Sequence, residues 1–415
     1  MSFANESPPE TSIRYDGWRV VAVCFIAAIF AWGLGFYGQG LYLAELHRSK
    51  GWSTSLMSTA TTLYYLSGSG LVIFISDILR RFGPRAVMIF GAFCFASALT
   101  ILAFVTAPWQ VFVAYFVMAT GWMTMSLGAI TNTVGLWFMQ KRGLAISIAL
   151  TGASFGGIVL TPAMVAATTR WGFVPTMLGT AVVTLAVIVP LALFCIGKPP
   201  AAIQQGATKA AGQGAWTRRR ALRSLQFWTM SLPFALAIGA QVGFLVHQIA
   251  LLEPRIGLQL VGVAVAVTTT MAVLGRLAMG VVVDRLNLRL VSAGSFLSQA
   301  AAIALLLATD SHAAIFLACA LFGFSVGNLI TLPSLIISRE FDAASFGMLV
   351  GLSVAINQVI YAFGPGVVGW LRDFTGSYSA SLMLCIGLET VAAAIILVPF
   401  RDKGEGDATA GDASS

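Results

Sequence analysis

Apolar runs of about 20 residues or more follow one another along nearly the whole chain, parted only by short polar breaks. A helix rises 1.5 Å per residue, so each run is long enough to cross the roughly 30 Å hydrocarbon core of a bilayer. Composition makes lipid the only reasonable solvent: 58% of the 415 residues are hydrophobic and 10% are charged. A soluble domain cannot hide that much apolar surface from water. The expected fold class is therefore an all-α membrane protein.

Twelve candidate helices are predicted at about 18–44, 55–76, 86–105, 109–139, 143–167, 173–196, 226–251, 259–283, 288–309, 313–338, 344–371 and 377–400. An even number places both termini on one side. With that side cytoplasmic, 18 of the 24 Lys and Arg lie in cytoplasmic stretches, and the opposite loops hold only Arg48, Lys50, Arg170, Arg255 and Arg372. The net charge of +8 is thus a topology signal, with no aromatic or Gly-rich polar context to suggest a nucleic-acid partner. The five cysteines lie in apolar helices without a metal-ligand spacing, and no metal set, nucleophile motif or phosphate loop points to an enzyme or a cofactor. The first sixteen residues lack the basic, apolar and small-residue pattern of a signal peptide, so the first helix is expected to be retained. A multi-pass protein of the cell membrane follows, in bacteria the inner membrane.

The longest polar break divides the chain into a tail (1–17), a six-helix unit (18–197), a cytoplasmic linker (198–225), a second six-helix unit (226–400) and a tail (401–415). The linker ends in Arg218, Arg219, Arg220 and Arg223, the composition of a short basic helix on an anionic leaflet. The units repeat: Arg85 pairs with Arg289, and Gly143 with Gly347, at one offset of 204 residues. Parallel six-helix halves related by an axis along the membrane normal enclose a site between them.

Gly280-x-x-x-Asp284-Arg285 followed by Arg289 resembles the loop signature of the major facilitator superfamily. The resemblance implies a gate on the cytoplasmic side, closed by charge-assisted hydrogen bonds among Asp77, Arg81, Arg85, Asp284, Arg285 and Arg289. The first copy departs from the pattern, since Arg80 occupies the acidic position and Asp77 lies one turn earlier. Tyr15-Asp16-Gly17-Trp18, Gly51-Trp52-Ser53 and the run from Trp137 to Ala145 leading into Gly152-Ala153-Ser154-Phe155-Gly156-Gly157 are together similar to the monocarboxylate porter family, including its oxalate/formate antiporter branch. One departure is Ser147, where that family usually has Gly.

Arg276 interrupts the eighth apolar run. An ionised side chain at that depth costs roughly 2.5–3.5 kcal/mol on insertion scales unless it meets water, a partner or a ligand. The family resemblance implies that Gly275-Arg276 supplies the cation for a substrate carboxylate, for which a planar guanidinium is suited. A structural ion pair is the alternative, with Glu389 the obvious acid. Tyr37, Asn132, Gln241, Asn357, Gln358 and Tyr361 are polar at membrane depth and are expected to complete the cavity; one cation suits a monoanion better than a dianion. Where animal relatives often carry an acid, one turn before the arginine, this chain has Ala272, which leaves His247 as the candidate for proton coupling. The sequence reading is a secondary active transporter of a small organic monoanion, functional as a monomer and proton-coupled. Anion exchange, efflux of an amphipathic compound and a non-transporting sensor are the alternatives.

Overall fold

The computed structural model describes residues 10, 12, 15–71, 74–138, 141–197, 216–282, 286–342 and 345–398. Ten segments are long and apolar enough to cross a membrane by hydropathy alone. Two corrections raise that to twelve crossings. Leu225–Val282 is folded back at Gly257, whose φ of 76° breaks the helix, so it crosses twice. Thr54–Leu71 is too rich in Ser, Thr and Tyr to score as apolar, yet it runs through the interior with Ser58, Thr61, Tyr64 and Tyr65 buried. Its polar groups meet protein and not lipid, which is what permits them there.

The crossings are α1 (Asp16–Lys50), α2 (Thr54–Leu71), α3 (84–104), α4 (Pro108–Gly135), α5 (Leu144–Trp171), α6 (Phe173–Cys195), α7 (225–256), α8 (258–282), α9 (Leu288–Ala308), α10 (His312–Glu340), α11 (Phe346–Thr375) and α12 (Ser379–Ile396). The face where α1 begins and α12 ends is here called the terminal face, and the other the distal face. α1 extends six residues beyond its apolar run because its last turn is amphipathic: Arg48 binds Glu45 at 2.7 Å, and Gly51, at φ 66°, ends the helix. The predicted break before α8 is only Gly257, so α7 is longer than its apolar run.

The offset of 204 gains a third landmark, since Gly172 (φ 87°) and Gly376 (φ 74°) turn the chain between α5 and α6 and between α11 and α12. In each half the third and sixth crossings pack together at the periphery, α3 on α6 and α9 on α12. They leave Phe90, Phe93, Phe194, Leu297 and Met383 exposed, a surface suited to acyl chains and not to water. Phe95 on the same helix faces the core.

The halves meet through α2 on α11, α5 on α8 and α1 on α7. The contacts named by residue sit toward the distal face: Gly369 lies against Ser58 and Thr54, Gly366 against Thr62, Gly262 against Val165, and Gly40 against the Val246 carbonyl. α4 and α10 make no comparable contact. The contacts between the halves close the molecule toward the distal face.

Candidate functional site

The site is built where α8 passes α10. A Cβ added to Gly275 would strike the Phe324 carbonyl, one on Gly323 the Thr268 carbonyl, and one on Gly327 the Ala272 carbonyl. Three contacts over two helical turns bring the backbones together and fix the stretch of α8 that carries Arg276. The Gly323-x-x-x-Gly327 spacing is the small-residue pattern that allows such an approach. It is legible in the sequence, though the α5 glycines form the more conspicuous strip there. Of those, Gly152 and Gly156 pack on α1 within their own half, against Phe25 and Ile29; Gly157 alone faces the other half, against Thr269 and the Tyr37 ring.

Arg276 is half-buried, and its Nε donates to the Gly327 carbonyl at 3.4 Å, a long bond. That is its sole hydrogen bond among the described residues, and no described carboxylate lies within ion-pair distance. A guanidinium carries five N–H donors, so four are left without a protein partner among the described residues. Tyr37 of α1 lies within electrostatic reach of it. Glu389, the acid considered as its structural partner, is fully buried in α12 with neither oxygen bonded. α12 packs on α7, α9 and α11, so this acid does not pair with Arg276.

Depth along the helix axes, at 1.5 Å per residue from the distal ends, sorts the other predicted residues. Arg276 lies about 28 Å down α8. Asn357 and Gln358 come at about 26–27 Å on α11, with Tyr361 and Tyr37 at about 20 Å. Gln358 lies near Tyr361, while the Asn357 Oδ1 has no partner among the described residues and Asn357 is only 6% exposed. Tyr65 of α2, absent from the sequence prediction, crosses the gap between the halves to put its ring 5.3 Å from that of Tyr361, edge to face. Two predicted residues fall elsewhere. Gln241 accepts from Gln299 Nε2 at 2.9 Å between α7 and α9, inside one half. Asn132 donates to the Gly128 carbonyl at 2.8 Å, well toward the terminal face.

His247 sits about 14 Å nearer the distal face than Arg276 and is 1% exposed. Its Nε2 lies 3.0 Å from Ser58 Oγ and 3.1 Å from the Pro365 carbonyl, and its Nδ1 lies 3.1 Å from the Tyr378 hydroxyl. A carbonyl only accepts, so Nε2 carries the proton and Nδ1 accepts from Tyr378, an assignment made from the partners. Neutral His247 is thereby satisfied, and through Ser58 it ties α7 to the other half. Beside it Asp373 Oδ2 accepts from the Ser55 backbone N–H at 2.6 Å, so an acid of α11 caps the start of α2. Neither partner pair is foreseen from the sequence.

At the terminal face, Asp77 binds Arg80 at 2.8 Å and Arg81 covers the Phe82 ring. Arg85 donates Nε and Nη2 to the Ile196 carbonyl at 3.0 and 2.7 Å. Its repeat partner Arg289 holds Glu340 through two bonds of 2.8 Å and reaches the Ile396 carbonyl at 3.2 Å. Both arginines thus cap the sixth helix of their own half. Asp284 and Arg285 lie outside the described residues. No described gate residue is bonded across the halves in this conformation. The basic helix Arg218–Arg223 does form, with Trp216 before it meeting Phe341 edge to face at 5.0 Å and covered by Arg220.

The family model of the Major Facilitator Superfamily matches residues 22–365. Among relatives, an uncharacterized MFS-type transporter of Bacillus subtilis (strain 168), YcxA, is 25% identical over 399 residues, covering 93% of this chain and 96% of its own. Monocarboxylate transporter 11 of Mus musculus is 26% identical over 391 residues, covering 89% and 84%. Among solved structures, the nucleoside transporter NupG superposes with a TM-score of 0.73 at 14% identity, over 94% of this chain and all of its own. At that identity the likeness speaks for the fold.

Proposed function

The chain belongs to the Major Facilitator Superfamily, and on that premise we propose that this multi-pass membrane transporter moves a small organic monocarboxylate by alternating access. Arg276 carries the reading. It is the cation held at membrane depth between the halves, with one long bond to protein and no acid beside it among the described residues. A carboxylate entering from the terminal face meets a fork of free donors, and two parallel bonds from one guanidinium recognise that shape. The names of the monocarboxylate transporter relatives support the same substrate class.

The terminal face is cytoplasmic in this account, because most Lys and Arg lie on that side. Binding brings the terminal ends of the halves together, Asp77, Arg81, Arg85, Asp284, Arg285 and Arg289 exchange their bonds to latch that face, and the distal interlock opens. Opening withdraws Ser58 from His247 and admits water, so in the uptake direction the imidazole takes a proton on the distal side while substrate from that side binds Arg276, and the return to the terminally open form carries both inward in symport. In the closed form the ring is dry and neutral, which supports this order of events.

The test is uptake of labelled monocarboxylates into proteoliposomes. Uptake stimulated by a proton gradient and lost in Arg276→Gln is expected; equal uptake by wild type and Arg276→Gln would refute the role of the arginine. His247→Gln is expected to keep counterflow of labelled substrate while losing stimulation by the gradient.

A further inference from the structure

The binding site extends beyond the arginine into a group of tyrosines that a two- or three-carbon acid would not reach. Tyr37 is within electrostatic reach of both Arg276 and Tyr65. Tyr65 and Tyr361 meet edge to face at 5.3 Å across the halves, and Phe36 flanks Tyr65 at 6.2 Å. These rings lie deeper than the other residue-level contacts of the distal closure. Tyr65 is 2% exposed and its hydroxyl has no partner among the described residues, and the Asn357 Oδ1, one turn from Tyr361 and at the depth of Arg276, has none among them either. Buried polar atoms in apolar surroundings are normally bonded, so two such atoms, one among the tyrosines and one at the depth of Arg276, point to groups that a ligand supplies.

Resting on the carboxylate reading above, we propose that the substrate is an aryl monocarboxylate bearing a hydrogen-bonding substituent on its ring, such as a hydroxyl. The dimensions agree. Arg276 lies about 7–12 Å farther from the distal face than Tyr361 and Tyr65. From bond lengths, the carboxyl carbon of 4-hydroxyphenylacetate stands about 7 Å from its phenolic oxygen, whereas lactate spans about 4 Å overall. With its carboxylate on Arg276, the longer acid lays its ring against Tyr37 and Tyr361, in the offset or edge contacts that aromatic pairs prefer. Its phenolic oxygen accepts from the Tyr65 hydroxyl. The Asn357 Oδ1, at the depth of Arg276, accepts from a polar hydrogen near the carboxylate end, such as a side-chain hydroxyl. Lactate on Arg276 would leave the Tyr65 hydroxyl unpaired, and a site built to bond a substituent rejects analogues that lack it.

The test is competition by unlabelled acids in the proteoliposome counterflow assay, using the full chain and comparing lactate, cyclohexanecarboxylate, phenylacetate and 4-hydroxyphenylacetate. The expected half-inhibiting concentration falls at least tenfold from lactate to phenylacetate and about tenfold again to 4-hydroxyphenylacetate. Tyr65→Phe, which keeps the ring and its packing, is expected to remove the second step and leave phenylacetate unchanged. If lactate competes as well as or better than the aryl acids and does so only with Arg276 present, the aryl proposal is overturned while the carboxylate reading stands. Competition by no acid overturns both. Preference for 4-hydroxyphenylacetate that persists in Tyr65→Phe overturns the assignment of the hydroxyl to Tyr65.

Discussion

Removing the Asp373 carboxylate is expected to loosen the distal closure. The acid accepts from the Ser55 N–H at 2.6 Å, and this bond joins α11 of one half to the start of α2 in the other. It exists only while the distal ends are together; once they part, water takes its place. A charge-assisted bond to a helix N-terminus is worth roughly 1.5–3 kcal/mol when dry. The Asp373 side chain is 22% exposed and shared with Arg372 at 3.1 Å, so screening lowers the contribution to about 1–2 kcal/mol. Asp373→Ala should therefore shift the ratio of distally closed to distally open molecules by about 5- to 30-fold. Asp373→Asn keeps an accepting oxygen without the charge and should fall between. Spin labels at Thr106 and Ser311, exposed distal positions in opposite halves, in a background lacking the native cysteines, would report the distance distribution. A longer-distance population that grows in the order wild type, Asn, Ala is expected. An unchanged distribution in both variants would refute the claim that this cap holds the face shut.

Other outcomes follow from the same packing. Gly327→Val drives a side chain into the Ala272 carbonyl, so α10 must move off α8; a cost of about 1–3 kcal/mol should lower the thermal midpoint, and uptake should fall more than tenfold because Arg276 loses its support. His247→Gln should abolish the dependence of uptake on the proton gradient, measured against counterflow, and retention of full gradient stimulation would remove His247 from proton coupling. Arg289→Ala leaves the part-buried Glu340 without its bidentate partner and should destabilise the fold by about 1–3 kcal/mol, read as a lower thermal midpoint; a protein of unchanged stability would show that the pair contributes nothing in this conformation.

The outline of the fold was legible because the length and apolarity of each run are dictated by the bilayer, and because Arg85 and Arg289 mark a repeat that Gly172 and Gly376 then extend. α2 was legible as a crossing only by judging its length, since its Ser, Thr and Tyr content defeats a hydropathy threshold. Within the site, Arg276 announced itself by its cost in lipid. Gln241 could not be separated from Asn357 on sequence grounds: both are polar at membrane depth, and the difference lies in which face of the helix turns to a neighbour such as Gln299. Tyr65 was hidden for the related reason that an amphipathic aromatic is at home in core and cavity alike. The Ser55–Asp373 cap joins residues 318 positions apart, so no local pattern contains it.

The most direct test of the account is counterflow of a labelled monocarboxylate by wild type, Arg276→Gln and Arg276→Lys, with the uncharged amide of the same acid as competitor. The account predicts that the acid exchanges in wild type, that the amide does not compete, and that Gln abolishes exchange while Lys, a point charge without the planar fork, retains a weakened remnant. Exchange by Arg276→Gln at the wild-type rate, or competition by the amide equal to that of the acid, would contradict it.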